Sequence, residues 1–246
     1  MKFLRTNGPL ILIIILAALV RIIKLSTIPI GFNDDEAAFG YNAYSILKYG
    51  FDEWGRTLPF PTFESFGDWK LVFYLYLTVI SQFIFGANEF ATRFPSAVFG
   101  VLTVAATYFL AKQLFDKRVA LVSALFLAIS PWHIVASRNA FESDLLSFFI
   151  ATGTFFFLKA TKEKKFLYVA TILFSICFYI YRSSWLFIPL FLVVIFYLFR
   201  ANFIKSKDLI AKNLILSVVL LIPLIPIVLT FKGQSRFIQE SFVTGV

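Results

Sequence analysis

Phe32-Asn33-Asp34-Asp35-Glu36-Ala37-Ala38-Phe39-Gly40-Tyr41-Asn42-Ala43-Tyr44 decides how the rest of the chain is read. Three carboxylates stand in a row just behind an apolar run, residues 10–20, that with its flanks is long enough to cross a membrane. Ionisable groups at the mouth of a span are expensive, so a cluster of them marks a functional site rather than chance. The same stretch begins a helix. Asn33 or Asp34 serves as N-cap, the helix runs to about Tyr49, and Gly50 suits its C-cap. Helical spacing puts Phe39, Ala43, Ile46 and Leu47 on one apolar face.

The composition around this stretch is that of a polytopic, all-α membrane protein. Of 246 residues, 59% are hydrophobic and 15% charged, against about half and a quarter in soluble domains. The net charge of +9 could suggest nucleic acid, but its cations fall in short clusters between apolar runs, which is an orientation signal. One cysteine, Cys177, sits inside an apolar run, so neither a disulfide framework nor a thiolate metal motif exists, and its reading is a small buried residue. The first run is too long for a removable signal peptide and lacks a small-residue cleavage site.

Seven spans are expected, at residues 10–20 with flanks, 95–115, 119–136, 145–158, 166–181, 184–199 and 214–231. A large first loop, about 29–94, lies between the first two. Within it, residues 52–66 read as irregular loop, with Gly55, Pro59 and Pro61. Residues 71–85 are short for a span, and Tyr74, Thr78, Ser81 and Gln82 form one polar stripe. That pattern suggests a helix lying at the membrane interface, opened by Lys70. With the N-terminus in the cytoplasm and this helix not crossing, thirteen cations face inward against three acids. Letting it cross would turn most of them outward, against the positive-inside rule. The acidic loop is therefore expected on the extracytoplasmic side of the cell membrane.

That topology gathers charged groups on one face: Asp34, Asp35 and Glu36 after the first span, Lys70, then Arg138, Glu142 and Asp144 between the third and fourth spans, and Arg182 between the fifth and sixth. Carboxylates there can take a proton from an acceptor hydroxyl. Cations can hold a phosphate, arginine through paired hydrogen bonds and lysine as a point charge.

The ordered set of Asp34-Asp35-Glu36, Gly40-Tyr41-Asn42-Ala43-Tyr44, Asp52-Glu53-Trp54-Gly55-Arg56, Ser65-Phe66-Gly67-Asp68-Trp69-Lys70, Asn88-Glu89-Phe90-Ala91-Thr92-Arg93-Phe94-Pro95 and Ser130-Pro131-Trp132-His133 resembles the C-type glycosyltransferases. Within that class the likeness is to protein-mannosyltransferase-like family 39 and the lipid A aminoarabinose transferases. The resemblance implies transfer of a sugar from a polyprenyl-phosphate carrier, usually with inversion, to a lipid, glycan or protein acceptor on the non-cytoplasmic face. It implies Asp35 as base with Glu36 as partner, and Lys70 and Arg138 on the lipid phosphate. Asp34, Glu142 and Arg182 are possible substrate or metal contacts. The family has Pro-Pro after the lysine, where this chain has Leu71-Val72. Family members continue into further loops and spans, so the chain reads as the N-terminal part of such an enzyme.

Simpler roles compete at several positions. Asp34 suits a helix cap, Arg182 an interfacial anchor, Arg138 a snorkelling side chain, and Asp144 a partner for Arg138. His133 reads as a hydrogen-bonded structural residue. No motif requires a cofactor, although a divalent cation among the outer carboxylates stays open. A transporter or flippase would place its charges near the midplane in repeated halves. An inactive membrane scaffold is the non-enzymatic alternative.

Overall fold

The computed structural model describes residues 2–204 and 206–229. Helix α1, Lys2–Ile22, leads into the linker and then α2, Asp34–Tyr49. A hairpin follows, β1 Thr62–Ser65 and β2 Asp68–Leu71, then α3 Phe73–Phe85 and α4 Glu89–Leu114. Next come α5 Lys117–Ile129, α6 Pro131–Ser137, α7 Glu142–Ala160, α8 Phe166–Cys177 and α9 Ser184–Leu198. The short α10 Arg200–Phe203 precedes α11 Lys207–Leu221, and a 3₁₀ turn at Ile222–Leu224 joins it to α12 Ile225–Leu229.

Helix α2 starts and stops where local chemistry dictates. The Asn33 side chain accepts from the Glu36 amide at 2.9 Å while the Glu36 side chain accepts from the Asn33 amide at 3.2 Å, a capping box. Gly50 closes the helix in a left-handed conformation, its amide bonded to the Ile46 carbonyl. Phe39, Ala43 and Ile46 are buried as expected; Leu47 is not, because the buried arc turns through Asn42 and Ser45 instead.

Residues 52–66 are less irregular than expected. Thr62–Ser65 pairs antiparallel with Asp68–Leu71, Phe63 opposite Lys70, around a two-residue turn at Phe66-Gly67 with φ of 53° and 72°. Positive φ at both turn positions matches the twist of the flanking strands. Lys70 therefore lies in a strand, not at the start of the interfacial helix, which begins at Phe73.

The polar stripe of α3 also faces the opposite way from a helix lying on water. Tyr74, Thr78, Ser81 and Gln82 are buried, while Ile80, Phe83, Ile84 and Phe85 are exposed. Tyr74 donates to the Thr92 carbonyl and Gln82 Nε2 to the Gly40 carbonyl. Through Tyr74 and Gln82 the stripe ties α3 to α4 and α2. Thirteen residues at about 1.5 Å rise span roughly 20 Å, short of the roughly 30 Å hydrocarbon layer.

Among the described residues, three helical segments are long and apolar enough to cross a membrane: α4, α7 and Lys207–Ile227. A fourth results if α5 and α6, bent by 60°, form one broken span. The expected seven is therefore not reached by length, because α8 and α9, with 12 and 15 residues, extend about 18 and 22 Å. The last expected span, 214–231, ends outside the described residues. Small residues permit the closest packing: Ala120, Ala124 and Ala128 bring α5 against Ala17 of α1 and Val104 and Ala111 of α4. Gly100 of α4 meets α6 so closely that an added Cβ would lie 2.4 Å from that of Ser137.

Candidate active site

The three adjacent carboxylates occupy three different environments. Asp34 is exposed, Asp35 half-buried and Glu36 buried. The capping box fixes this, because it turns the third residue of the helix inward under its own first turn.

Asp35 is ion-paired through Oδ1 with Lys70 Nζ, and the lysine side chain is 4% exposed against 39% for the aspartate. The hairpin register sets this meeting. Lys70 stands opposite Phe63 and its ammonium lies 6.0 Å from the ring of Phe39, one turn along α2 from Asp35. Asp68 Oδ2 lies 3.9 Å from the same ammonium. A small cleft beside the pair is lined by Asp68, Trp69, Lys70, Glu142, Tyr181 and Arg182. Arg182 Nη2 donates to the Trp69 carbonyl at 2.6 Å. Lys70, Glu142 and Arg182, far apart in sequence, are thereby brought together next to Asp35.

Glu36 is placed differently. Its Oε1 accepts from Arg93 Nε at 2.7 Å and from the Ala140 amide at 3.0 Å, and its Oε2 from Arg93 Nη2 at 2.9 Å and the Asn33 amide. With four donors on its two oxygens it has little capacity left for a substrate proton. Arg93 escaped the sequence reading. It is fully buried, and also donates to the carbonyls of Leu25, Pro29 and Gly31. The available signal was an arginine within an apolar helix, which demands a buried acidic partner.

Arg138 does not reach the cleft in the way expected of a phosphate ligand. Nη1 donates to the Val20 and Arg21 carbonyls, and Nη2 to those of Ile23, Lys24 and Ile28, at 2.8–3.2 Å. It caps the end of α1 and the linker behind it. The exposed end of a helix leaves several carbonyls without partners, and a guanidinium answers them with charge as well as hydrogen bonds. Burial, and then the neighbouring Arg93 charge, push its pKa below the usual arginine value. A third arginine, Arg21, donates to Ala17 and Ala128 carbonyls and, through Nη2, to His133 Nδ1 at 2.7 Å. That makes His133 the bonded structural residue foreseen. Asp144 lies 3.9 Å from His133 Nε2 and so faces the histidine rather than Arg138. Among the described residues no three His, Cys, Asp or Glu side chains gather as a metal site.

The fold is that of the C-type glycosyltransferase class. The structure resembles the crystal structure of ArnT from Cupriavidus metallidurans bound to undecaprenyl phosphate, with TM-score 0.74 and 18% identity over 95% of this chain and 44% of that one. It also resembles an oligosaccharyltransferase of Archaeoglobus fulgidus, TM-score 0.62 and 18% identity over 80% of this chain and 27% of the other. The chain belongs to the dolichyl-phosphate-mannose-protein mannosyltransferase family, whose model matches residues 71–229, more than half its length. YycA of Bacillus subtilis, provisionally named a mannosyltransferase, is 29% identical over 60% of this chain and 21% of its own length. The undecaprenyl phosphate-alpha-4-amino-4-deoxy-L-arabinose arabinosyl transferase of Wigglesworthia glossinidia brevipalpis is 28% identical over 39% of this chain and 18% of its own. The chain thus spans about a fifth of the length of these curated relatives.

Proposed function

We propose that the protein moves a hexosyl or pentosyl unit from a polyprenyl-phosphate donor to an acceptor hydroxyl or amine on the extracytoplasmic face of the cell membrane. The observation that carries this reading is the Asp35–Lys70 pair, a half-exposed carboxylate against a buried ammonium at the edge of the cleft. The family membership and the polyprenyl phosphate named with the similar ArnT structure support the donor class.

In this mechanism Asp35 accepts the proton of the acceptor nucleophile as that atom bonds to the anomeric carbon. The bond from that carbon to the phosphate oxygen breaks, and its electron pair leaves with the lipid phosphate. Lys70, shared between Asp35 and the phosphate, stabilises the growing charge, with Arg182 beside it. Glu36 and Arg93 act one step back by fixing the first turn of α2, from which Asp35 projects. Arg138 acts through the linker, not on the phosphate. Asp34 and Glu142 remain candidates for contact with the acceptor or a divalent cation.

The test is Asp35→Asn in the membrane-reconstituted protein supplied with undecaprenyl-phosphate sugar. Turnover is expected to fall about 10²–10⁴-fold while donor binding survives. Near-normal turnover would remove Asp35 from the mechanism.

A further inference from the structure

A wide apolar cavity lies away from the charged cleft, among α8, α9 and α11. Its volume of about 420 Å³ falls in the range of about 300–1,000 Å³ that holds one small molecule. Its walls are hydrocarbon and aromatic, including Leu167, Phe174, Leu192, Phe196 and Leu214. Of the four polar side chains facing it, two are tied together: Thr171 donates to Asn213 Oδ1 at 2.7 Å, and Asn213 Nδ2 donates to the Leu209 carbonyl; the others are the small hydroxyls of Ser175 and Ser217. A lining that is mostly hydrocarbon, with its amide and threonine hydroxyl already paired, favours an apolar guest.

One end of the groove is basic. Its lining residues Phe157 and Phe196 pack on Phe203, with ring centroids 5.3 and 5.6 Å away. Lys164 sits 4.4 Å above the Phe203 ring and donates to the Asn202 carbonyl at 2.6 Å, which leaves two of its three N–H groups for another acceptor. Next to Leu167, the Phe166 ring lies under both Lys159 and Lys165. Arg200 stacks on Tyr197. With Lys162, these five cations stand against one acid on the same connections, Glu163, which pairs with Lys165. Aromatic rings lie against Lys159, Lys164, Lys165 and Arg200, which favours keeping their charge at this end of the groove.

We propose that this groove binds one acyl chain of an anionic phospholipid, with the headgroup phosphate on Lys164 and Arg200, in the leaflet at the basic end of the bundle. An apolar slot that opens onto fixed cations matches the two parts of such a lipid, and a zwitterionic lipid would gain little from the second part. The site is independent of the transfer reaction at Asp35.

The experiment is native mass spectrometry of the purified full chain, titrated with phosphatidylglycerol, phosphatidylcholine or undecaprenyl phosphate. The wild type should retain one phosphatidylglycerol in preference to phosphatidylcholine. Lys164→Gln and Arg200→Gln should each weaken retention about fivefold, as expected for one basic residue at a lipid surface. Ser217→Trp, which fills the groove from a half-buried position on α11 without touching the cations, should weaken it at least as much. Thermal unfolding of each variant in detergent separates loss of the site from loss of the fold. The proposal is overturned if the wild type retains no lipid, if both phospholipids are held equally, or if Ser217→Trp changes nothing while remaining folded. It is also overturned if undecaprenyl phosphate displaces phosphatidylglycerol one for one, which would make the groove a carrier site. Asp35→Asn should leave the retention of phosphatidylglycerol and phosphatidylcholine unchanged, so the outcome is separable from that of the transfer reaction.

Discussion

Replacing Arg138 by alanine distinguishes a structural clamp from a phosphate ligand. The guanidinium serves five carbonyls, from Val20 to Ile28, and retains 8% of its surface. A hydrogen bond to a charged group contributes about 1.5–3 kcal/mol. The five share two nitrogens and cannot add, and water can reach some of the freed carbonyls. The loss should therefore resemble the breaking of a buried charged interaction, about 3–5 kcal/mol. At about 2–4 °C per kcal/mol for a chain of this size, Tm should fall by roughly 6–20 °C. Arg138→Lys should recover a minor part, because an ammonium has three donors and no planar fork. The assay pairs thermal unfolding in detergent with undecaprenyl phosphate binding below the transition. The folded fraction of Arg138→Ala should bind the lipid phosphate within about threefold of wild type, well under the factor of ten that about 1.4 kcal/mol would cause. An unchanged Tm together with a tenfold or greater loss of lipid binding would refute the clamp and restore Arg138 as a ligand.

Other outcomes follow from the same geometry. Glu36→Gln keeps the shape but removes the charge opposite Arg93, and chemical denaturation should show a loss of about 3–5 kcal/mol, the cost of orphaning a buried ion. Lys70→Ala should weaken undecaprenyl phosphate binding about tenfold or more, measured by titration, and unchanged affinity would detach Lys70 from the phosphate. Gly100→Ala should lower Tm because its Cβ would collide with Ser137, and Ser137→Gly in the same chain should recover much of the loss, the non-additivity expected of contacting residues. Glu53→Cys or Glu64→Cys should react with a membrane-impermeant thiol reagent in intact cells, and reaction only after the membrane is opened would invert the proposed orientation.

Sequence legibility followed the range of the interactions. Helix α2 was readable nearly to the residue because its start and stop depend on neighbours three or four positions away, Asn33 with Glu36 and Gly50 with Ile46. Asp35 and Lys70 both stand out in the sequence as charges at the rim, but the strand that brings them together does not. Four-residue strands carry little periodicity, and Phe66 gives no hint of a positive φ. The roles of Glu36 and Arg138 were not readable, since their partners are Arg93, the Ala140 amide and a row of carbonyls more than fifty residues distant. A rim arginine looks available in a sequence because backbone acceptors leave no mark in it. The α3 stripe was detected correctly and assigned the wrong neighbour, since periodicity reveals a polar face but not whether water or another helix lies against it.

The linker between α1 and α2 is held by its main chain. Arg93 takes the carbonyls of Leu25, Pro29 and Gly31, and Arg138 takes those of Val20, Arg21, Ile23, Lys24 and Ile28. Every amino acid offers the same carbonyl, so the two arginines measure length and path without reading side chains. Evolution is then free to exchange exposed linker residues such as Ile23, Ile28 and Ile30. A single insertion or deletion would put the whole row of acceptors out of phase with both arginines. Across homologues this segment should therefore drift in letters while its number of residues stays constant, the reverse of what is expected of a surface loop.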